Sequence, residues 1–197
     1  MQTVSSIAFT LVSLAIIANV HAEYTKLDYK VLSATGVQIQ EVDVVPMPIL
    51  NPGEGFITLR ANLIRPIKKI RTILKIVRKV SGITLPVKCY KVDGVEVGSC
   101  DYADLCLVLQ TMLPSFKPET CPPTALNYGV DCNCPFNIPT GQLDIIRERM
   151  ELPDAQASIA SFMASGDFTI ELDTYDSTGP YAKISVGFTV KPVKPSG

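Results

Sequence analysis

The feature that most limits how this chain folds is its cysteine spacing: all six cysteines lie between Cys89 and Cys134, in the pattern C-x10-C-x5-C-x14-C-x10-C-x-C. An even set of this kind behind a secretory signal reads as three disulfides. The signal is the apolar run Ile7 to Ala18, broken only by Thr10 and Ser13 and closed by the small-x-small site Val20-His21-Ala22. That run is too short to cross a bilayer as a helix. Residues 1–22 are therefore expected to be removed, leaving one domain over 23–190 and a flexible tail over 191–197, in a product that is secreted or luminal. Six cysteines allow fifteen pairings. Cys132 and Cys134 are i, i+2 neighbours that point to opposite faces of an extended chain, so different partners are expected for them. A zinc site would want C-x2-C pairs and a reducing compartment, and the sequence offers neither.

The only histidine, His21, leaves with the signal, so the mature chain has no imidazole. This excludes a Ser-His-Asp triad, a Cys-His pair and every histidine metal site. A glycosidase-like carboxylate pair survives the test. Nothing in the spacing of the 19 acidic residues singles one out. The expectation is a protein that is not an enzyme and uses no cofactor and no metal. With 18 Lys+Arg against 19 Asp+Glu the net charge is −1, which gives no global attraction to nucleic acid.

Period-two alternation dominates the rest of the chain. Ala182, Ile184, Val186, Phe188 and Val190 alternate with mostly charged or hydroxylic residues, and Phe168 to Asp173 do the same just upstream. Ser177-Thr178-Gly179-Pro180 between them predicts the turn of an antiparallel hairpin. Ile57, Leu59, Ala61 and Leu63, together with Val37 to Val45 and Gly82 to Lys91, complete an antiparallel β protein of seven or eight strands. Ser99 or Asp101 is expected to cap a short helix from about Tyr102 to Leu113, with Leu105, Leu109 and Met112 on one face and Pro114 ending it. Ile67, Ile70, Ile73, Leu74, Val77 and Val80 recur at helical spacing but are β-branched enough to form a strand with one bulge.

Charge is unevenly placed: 10 of the 18 basic residues and none of the acids fall between Arg60 and Lys91. Arg65, Lys68, Lys69, Arg71, Lys75, Arg78 and Lys79 are the candidate contacts with anionic membrane, where each charge contributes about 1 kcal/mol. The competing reading is a solvated edge strand guarded by lysines.

The run Val97-Gly98-Ser99-Cys100-Asp101-Tyr102-x-x-Leu105-Cys106, then Met112-Leu113-Pro114, Cys121-Pro122 and Tyr128-Gly129-x-x-Cys132-x-Cys134-Pro135-Phe136, resembles the ganglioside activator protein family of lysosomes. The likeness extends from about Asn51 to Val190. It implies an all-β fold, an antiparallel β-cup or sandwich enclosing an apolar lipid cavity, with one short helix tethered by disulfides. It implies the pairs Cys89 to Cys100, Cys106 to Cys134 and Cys121 to Cys132, and a strand over Ile70 to Val80. It also aligns Ala157 to Met163 with a rim loop. There Ile159, Phe162 and Met163 form an apolar tip between Asp154 and Asp167, suited to entering a membrane or lining a cavity mouth. The chain departs from the family in lacking an extra cysteine pair, any tryptophan, and any N-x-Ser/Thr glycosylation site.

The function this implies is a lipid-binding and transfer protein that lifts a glycosphingolipid from membranes and presents it to a β-hexosaminidase-like hydrolase. Its partners would be a glycosphingolipid or phospholipid and, peripherally, anionic membranes. The alternative is a secreted carrier of phospholipid, fatty acid or a hydrophobic signal with no hydrolase partner.

Overall fold

A computed structural model of the protein describes residues 24–92, 94–112, 116–121, 123–152, 154 and 161–193. The expected signal, Ile159, and the end of the expected tail lie outside these residues. Twelve strands are present among them: β1 (Asp28–Ala34), β2 (Val37–Val45), β3 (Ile49–Asn51), β4 (Gly53–Leu63), β5 (Arg71–Val80), β6 (Ile83–Val87), β7 (Tyr90–Val92), β8 (Val95–Val97), β9 (Asp101–Tyr102), β10 (Gly141–Leu152), β11 (Gly166–Asp176) and β12 (Gly179–Pro192). The larger sheet runs β1-β12-β11-β5-β6, with β3 parallel to β12 and β9 antiparallel to β5 at its margins. A second sheet runs β10-β4-β2, and β7 pairs with β8 as a separate hairpin.

The segment with two readings is a strand. In β5 Thr72, Leu74 and Ile76 are buried while Arg71, Lys75 and Val77 are exposed, which is the period of a strand. Helical spacing loses because Thr72, Ile73, Ile76, Val77 and Val80 are β-branched and both edges of β5 find backbone partners, β11 on one side and β6 with β9 on the other. The expected bulge is absent: β5 pairs with β11 from Arg71 opposite Tyr175 to Lys79 opposite Asp167 without a shift. Bulges fall instead in the pairings of β1, β2, β10 and the β11–β12 turn end. At the far end of β5, Ser81 and Gly82 both take positive φ (49° and 83°), the two-residue turn whose twist suits a hairpin.

The helix is shorter than expected and its cap is different. α1 spans Leu105–Met112, and the carboxylate of Asp104 accepts the amide of Cys106 at 3.0 Å. Ser99 and Asp101 are taken by β5: Ser99 Oγ accepts the Ile76 amide at 2.8 Å, and Asp101 in β9 is salt-bridged to Arg71. On the helix Cys106 and Val108 are buried and Leu105 and Leu109 half-buried; the side chain of Met112 and residues 113–115 are outside the described part. A five-residue helix, α2 (Pro123–Asn127), follows. The disulfides join Cys89 to Cys100, Cys106 to Cys134 and Cys121 to Cys132. They close the base of the β7–β8 hairpin, tie α1 to the loop before β10 and close the segment that carries α2. Lys191 and Pro192, expected in the tail, extend β12, and the Val193 amide donates to the Asn51 carbonyl at 3.2 Å.

Two apolar clusters form the core. One holds Leu74, Ile76, Tyr102, Val108 and Phe168, and the other Val37, Ala61, Leu63, Ile70, Tyr181 and Ala182. Fully burying a side chain such as Phe168 contributes about 2–3 kcal/mol. Beside the clusters several inward residues are only half-buried: Ile170 and Leu172 on β11, Ile184 and Val186 on β12, Leu59 and Val42 on the smaller sheet. A fully packed sandwich would bury these residues.

Candidate functional site

Register decides what the inner face of the larger sheet carries. Residues opposite each other across antiparallel strands share a face. The inward rows are therefore Val87-Ile76-Ile170-Val186, Leu74-Leu172-Ile184, Thr72-Thr174-Ala182 and Leu85-Arg78-Phe168-Phe188. The face is apolar except for two threonines deep in the cup and Arg78 near its edge. Past Arg78, β6 presents Ile83 and Leu85 at 62% and 49% exposure, although both lie on the inward face. Inward apolar residues that remain accessible mark the open side of the cup.

Over that opening sits a 3-10 turn, Ser161–Ala164, just before β11. Phe162 and Met163 are half-buried and pack against the Leu74–Phe168 cluster. The Phe162 ring meets Tyr90 of β7 edge-on, with centroids 6.3 Å apart and planes at 76°. Burial pushes the Tyr90 phenol above its ordinary value. The turn is held by Arg78: its Nε donates to the Ser165 carbonyl at 2.8 Å, and its Nη2 donates to Ser165 Oγ at 3.2 Å. Phe162 and Met163 are thus brought together with Arg78, Leu85 and Tyr90 in one mouth.

The seven basic residues do not form one surface. Arg78 turns inward. Arg65 is a brace at the closed end: its Nε lies 3.0 Å from Asp176 Oδ2, its Nη2 donates to the Pro180 carbonyl at 2.5 Å, and its guanidinium covers the Tyr181 ring at 5.2 Å. Arg71 is salt-bridged to Asp101, and that hydrogen bond holds the Asp101 carboxyl below its usual range. Lys75 stands opposite Glu171, and Lys79 opposite Asp167. Lys68 and Lys69 are exposed but precede β5, at the end away from the mouth. The acids missing from the linear run arrive from β9 and β11, which only the fold brings alongside. A sequence signal for Arg78 did exist, since it falls in phase with Thr72, Leu74 and Ile76. For Leu85 and Tyr90 the equivalent signal was weak, because the strands that carry them are short.

A cavity of about 290 Å³ lies elsewhere, between α2 and the start of β10, lined by Leu63, Tyr128, Ile138, Gln142 and Leu143 among others. It touches none of the mouth residues. Among the described residues no group of His, Cys, Asp and Glu could hold a metal ion, and no helix is long and apolar enough to cross a membrane.

An antiparallel β-cup, apolar inside, open along one edge and braced by three disulfides, is the class this fold and site define. Within that class the chain is similar in sequence to ganglioside GM2 activators. It is 28% identical over 139 residues to the ganglioside GM2 activator of Macaca fascicularis, covering 68% of this chain and 65% of that one. It is 25% identical over 134 residues to the ganglioside GM2 activator of Mus musculus, covering 68% and 64%. The chain therefore matches just under two thirds of the length of either relative. No family model matches the chain. A crystal structure of a Niemann-Pick type C2 protein from Japanese carpenter ant aligns over 83% of this chain and 99% of its own, at TM-score 0.39 and 7% identity, too distant to carry an argument.

Proposed function

We propose that this protein is a carrier that takes the apolar part of a lipid into the cup, and that it acts without catalysis as an activator presenting glycosphingolipid to a hydrolase of the β-hexosaminidase kind. The observation that carries the reading is the inner face itself: apolar rows left half-buried between two sheets, opening at a mouth edged by Ile83, Leu85, Phe162 and Met163. Acyl chains on those rows would complete the burial, at about 0.8 kcal/mol per methylene, enough to lift a lipid reversibly. The similarity to proteins named ganglioside GM2 activators supports ganglioside as the cargo and an activator role.

In this reading the Ser161–Ala164 turn meets the membrane first, and Lys79, at the mouth end of β5, is the lysine best placed to meet anionic head groups. The site of action is the secretory route, either the lysosomal lumen or outside the cell. The test is native mass spectrometry of the secreted protein after incubation with vesicles containing ganglioside, anionic phospholipid and fatty acid, followed by hydrolysis of vesicle-borne ganglioside by β-hexosaminidase. A one-to-one lipid adduct and a faster hydrolysis are expected. An adduct without faster hydrolysis removes the activator role and leaves a carrier, and no adduct overturns the proposal.

A further inference from the structure

Arg78 is the single charged side chain on the inward rows of the larger sheet among the described residues. It lies next to Phe168, which is 0% exposed, and across from Leu85. A guanidinium placed beside apolar side chains forfeits hydration, and such a charge is retained where an anion compensates it. Four other arginines have that anion within the chain: Arg60 meets Asp144, Arg65 meets Asp176, Arg71 meets Asp101 and Arg149 meets Glu54. Among the described residues Arg78 meets only the carbonyl and hydroxyl of Ser165, and no carboxylate of those residues reaches it. Those two bonds use two of the five N–H groups of its fork, which leaves three for an incoming acceptor. They also fix the plane of the guanidinium at the mouth, so the side chain needs little further ordering to bind.

We infer that Arg78 is the headgroup anchor of the cup, selecting amphiphiles whose head carries an oxyanion, a phosphate or a carboxylate. The inference rests on the carrier reading and adds the class of cargo. The geometry matches such a ligand: from the level of Arg78 to that of Leu172 the half-buried inward row of β11, Ile170 and Leu172 with Val186 and Ile184 beside it on β12, runs about 13 Å at roughly 3.3 Å per residue. A tail lying on that row would leave its head beside the three free N–H groups. A guanidinium–oxyanion contact of this kind is frequently bidentate, which a lysine cannot reproduce.

The experiment is competitive uptake from vesicles, read by native mass spectrometry of the secreted protein, with ligand pairs that share tails and differ in head charge. The pairs are oleate against oleyl alcohol, dioleoylphosphatidylglycerol against dioleoylglycerol, and a sialylated ganglioside against its asialo form. The wild type is expected to prefer the charged member by about tenfold in at least one pair, and the pair that discriminates identifies the source of the oxyanion. Arg78→Gln is expected to bring that ratio within about twofold, and Arg78→Lys to an intermediate value. Ratios near one in all three pairs for the wild type, or a preference that survives Arg78→Gln, would overturn the inference while leaving the carrier reading standing. Uptake of neither member of any pair would overturn both. Should Arg78→Gln not fold, the wild-type ratios and Arg78→Lys decide the matter without it.

Discussion

At Gly36 the chain has no room for a side chain. A Cβ there would lie 2.3 Å from Cδ2 and Cε2 of the Tyr181 ring, and that ring is 4% exposed, pinned by Arg65 above it and by its hydroxyl donating to the Arg65 carbonyl at 2.9 Å. Gly36→Ala is expected to cost about 2–4 kcal/mol, as overpacking of a rigid site does, and a shift of the urea midpoint at unchanged slope would measure it. Tyr181 also predicts a pH effect. Burial pushes its phenol up to about 12, with Arg65 pulling the other way. An acid whose folded pKa lies above its unfolded value of about 10 stays protonated in the native state while the unfolded chain ionises. Stability from this group is therefore full below pH ~10 and is lost as pH rises toward 12. Tyr181→Phe should flatten that alkaline limb while losing about 1 kcal/mol at neutral pH for the missing hydrogen bond. Thermal midpoints of both proteins from pH 8 to 12 would show it, and parallel limbs would refute it.

Among the elements, the mouth turn Ser161–Ala164 is short: its aromatic meets the ring of Tyr90, and Arg78 holds Ser165 just after it. Phe162→Asp combined with Met163→Asp is expected to slow vesicle-to-vesicle lipid transfer at least tenfold, with a stability loss of about 1–3 kcal/mol from the cluster it borders. Normal transfer by a folded double variant would remove the turn from the entry route. β5 illustrates how elements are read from sequence. Its apolar positions satisfy helical and strand spacing alike, and what settles it is hydrogen bonding to β11 and β6, which a single segment cannot display. The hairpin of β11 and β12 was legible because alternation and a turn signal sit in adjacent residues, and its two-residue loop is closed by Asp176 Oδ1 accepting from the Thr178 amide and hydroxyl. The cap of α1 is Asp104 and not Ser99 or Asp101, because Asp101 belongs to β9, a strand of two residues too short to show a period in the sequence.

For the whole molecule, a cup with half-buried inward residues should gain stability when filled. Loading at a hundredfold excess over the dissociation constant is expected to add about 2.7 kcal/mol, visible as a higher melting temperature of lipid-loaded over delipidated protein. Equal melting temperatures would mean that side chains already close the interior. Charge is also a whole-molecule property here. Because Lys79 lies at the mouth and Lys68 at the opposite end of β5, Lys79→Glu is expected to weaken association with anionic vesicles by about fivefold or more, at about 1 kcal/mol for each charge lost, and Lys68→Glu by less. Flotation of the two variants with vesicles would decide it, and the reverse order would place the membrane at the other end. The sequence by itself determined the strands with clean alternation, the β11–β12 turn and the likeness to the ganglioside activators, because alternation, turn chemistry and cysteine spacing are carried by neighbours along the chain. Only the tertiary structure decided that Arg78 faces inward at the mouth, that Arg65 and Arg71 meet Asp176 and Asp101, and that Lys75 and Lys79 stand opposite Glu171 and Asp167. Coulomb interaction and burial depend on distance through space, and the residues that set them come from strands far apart in the chain.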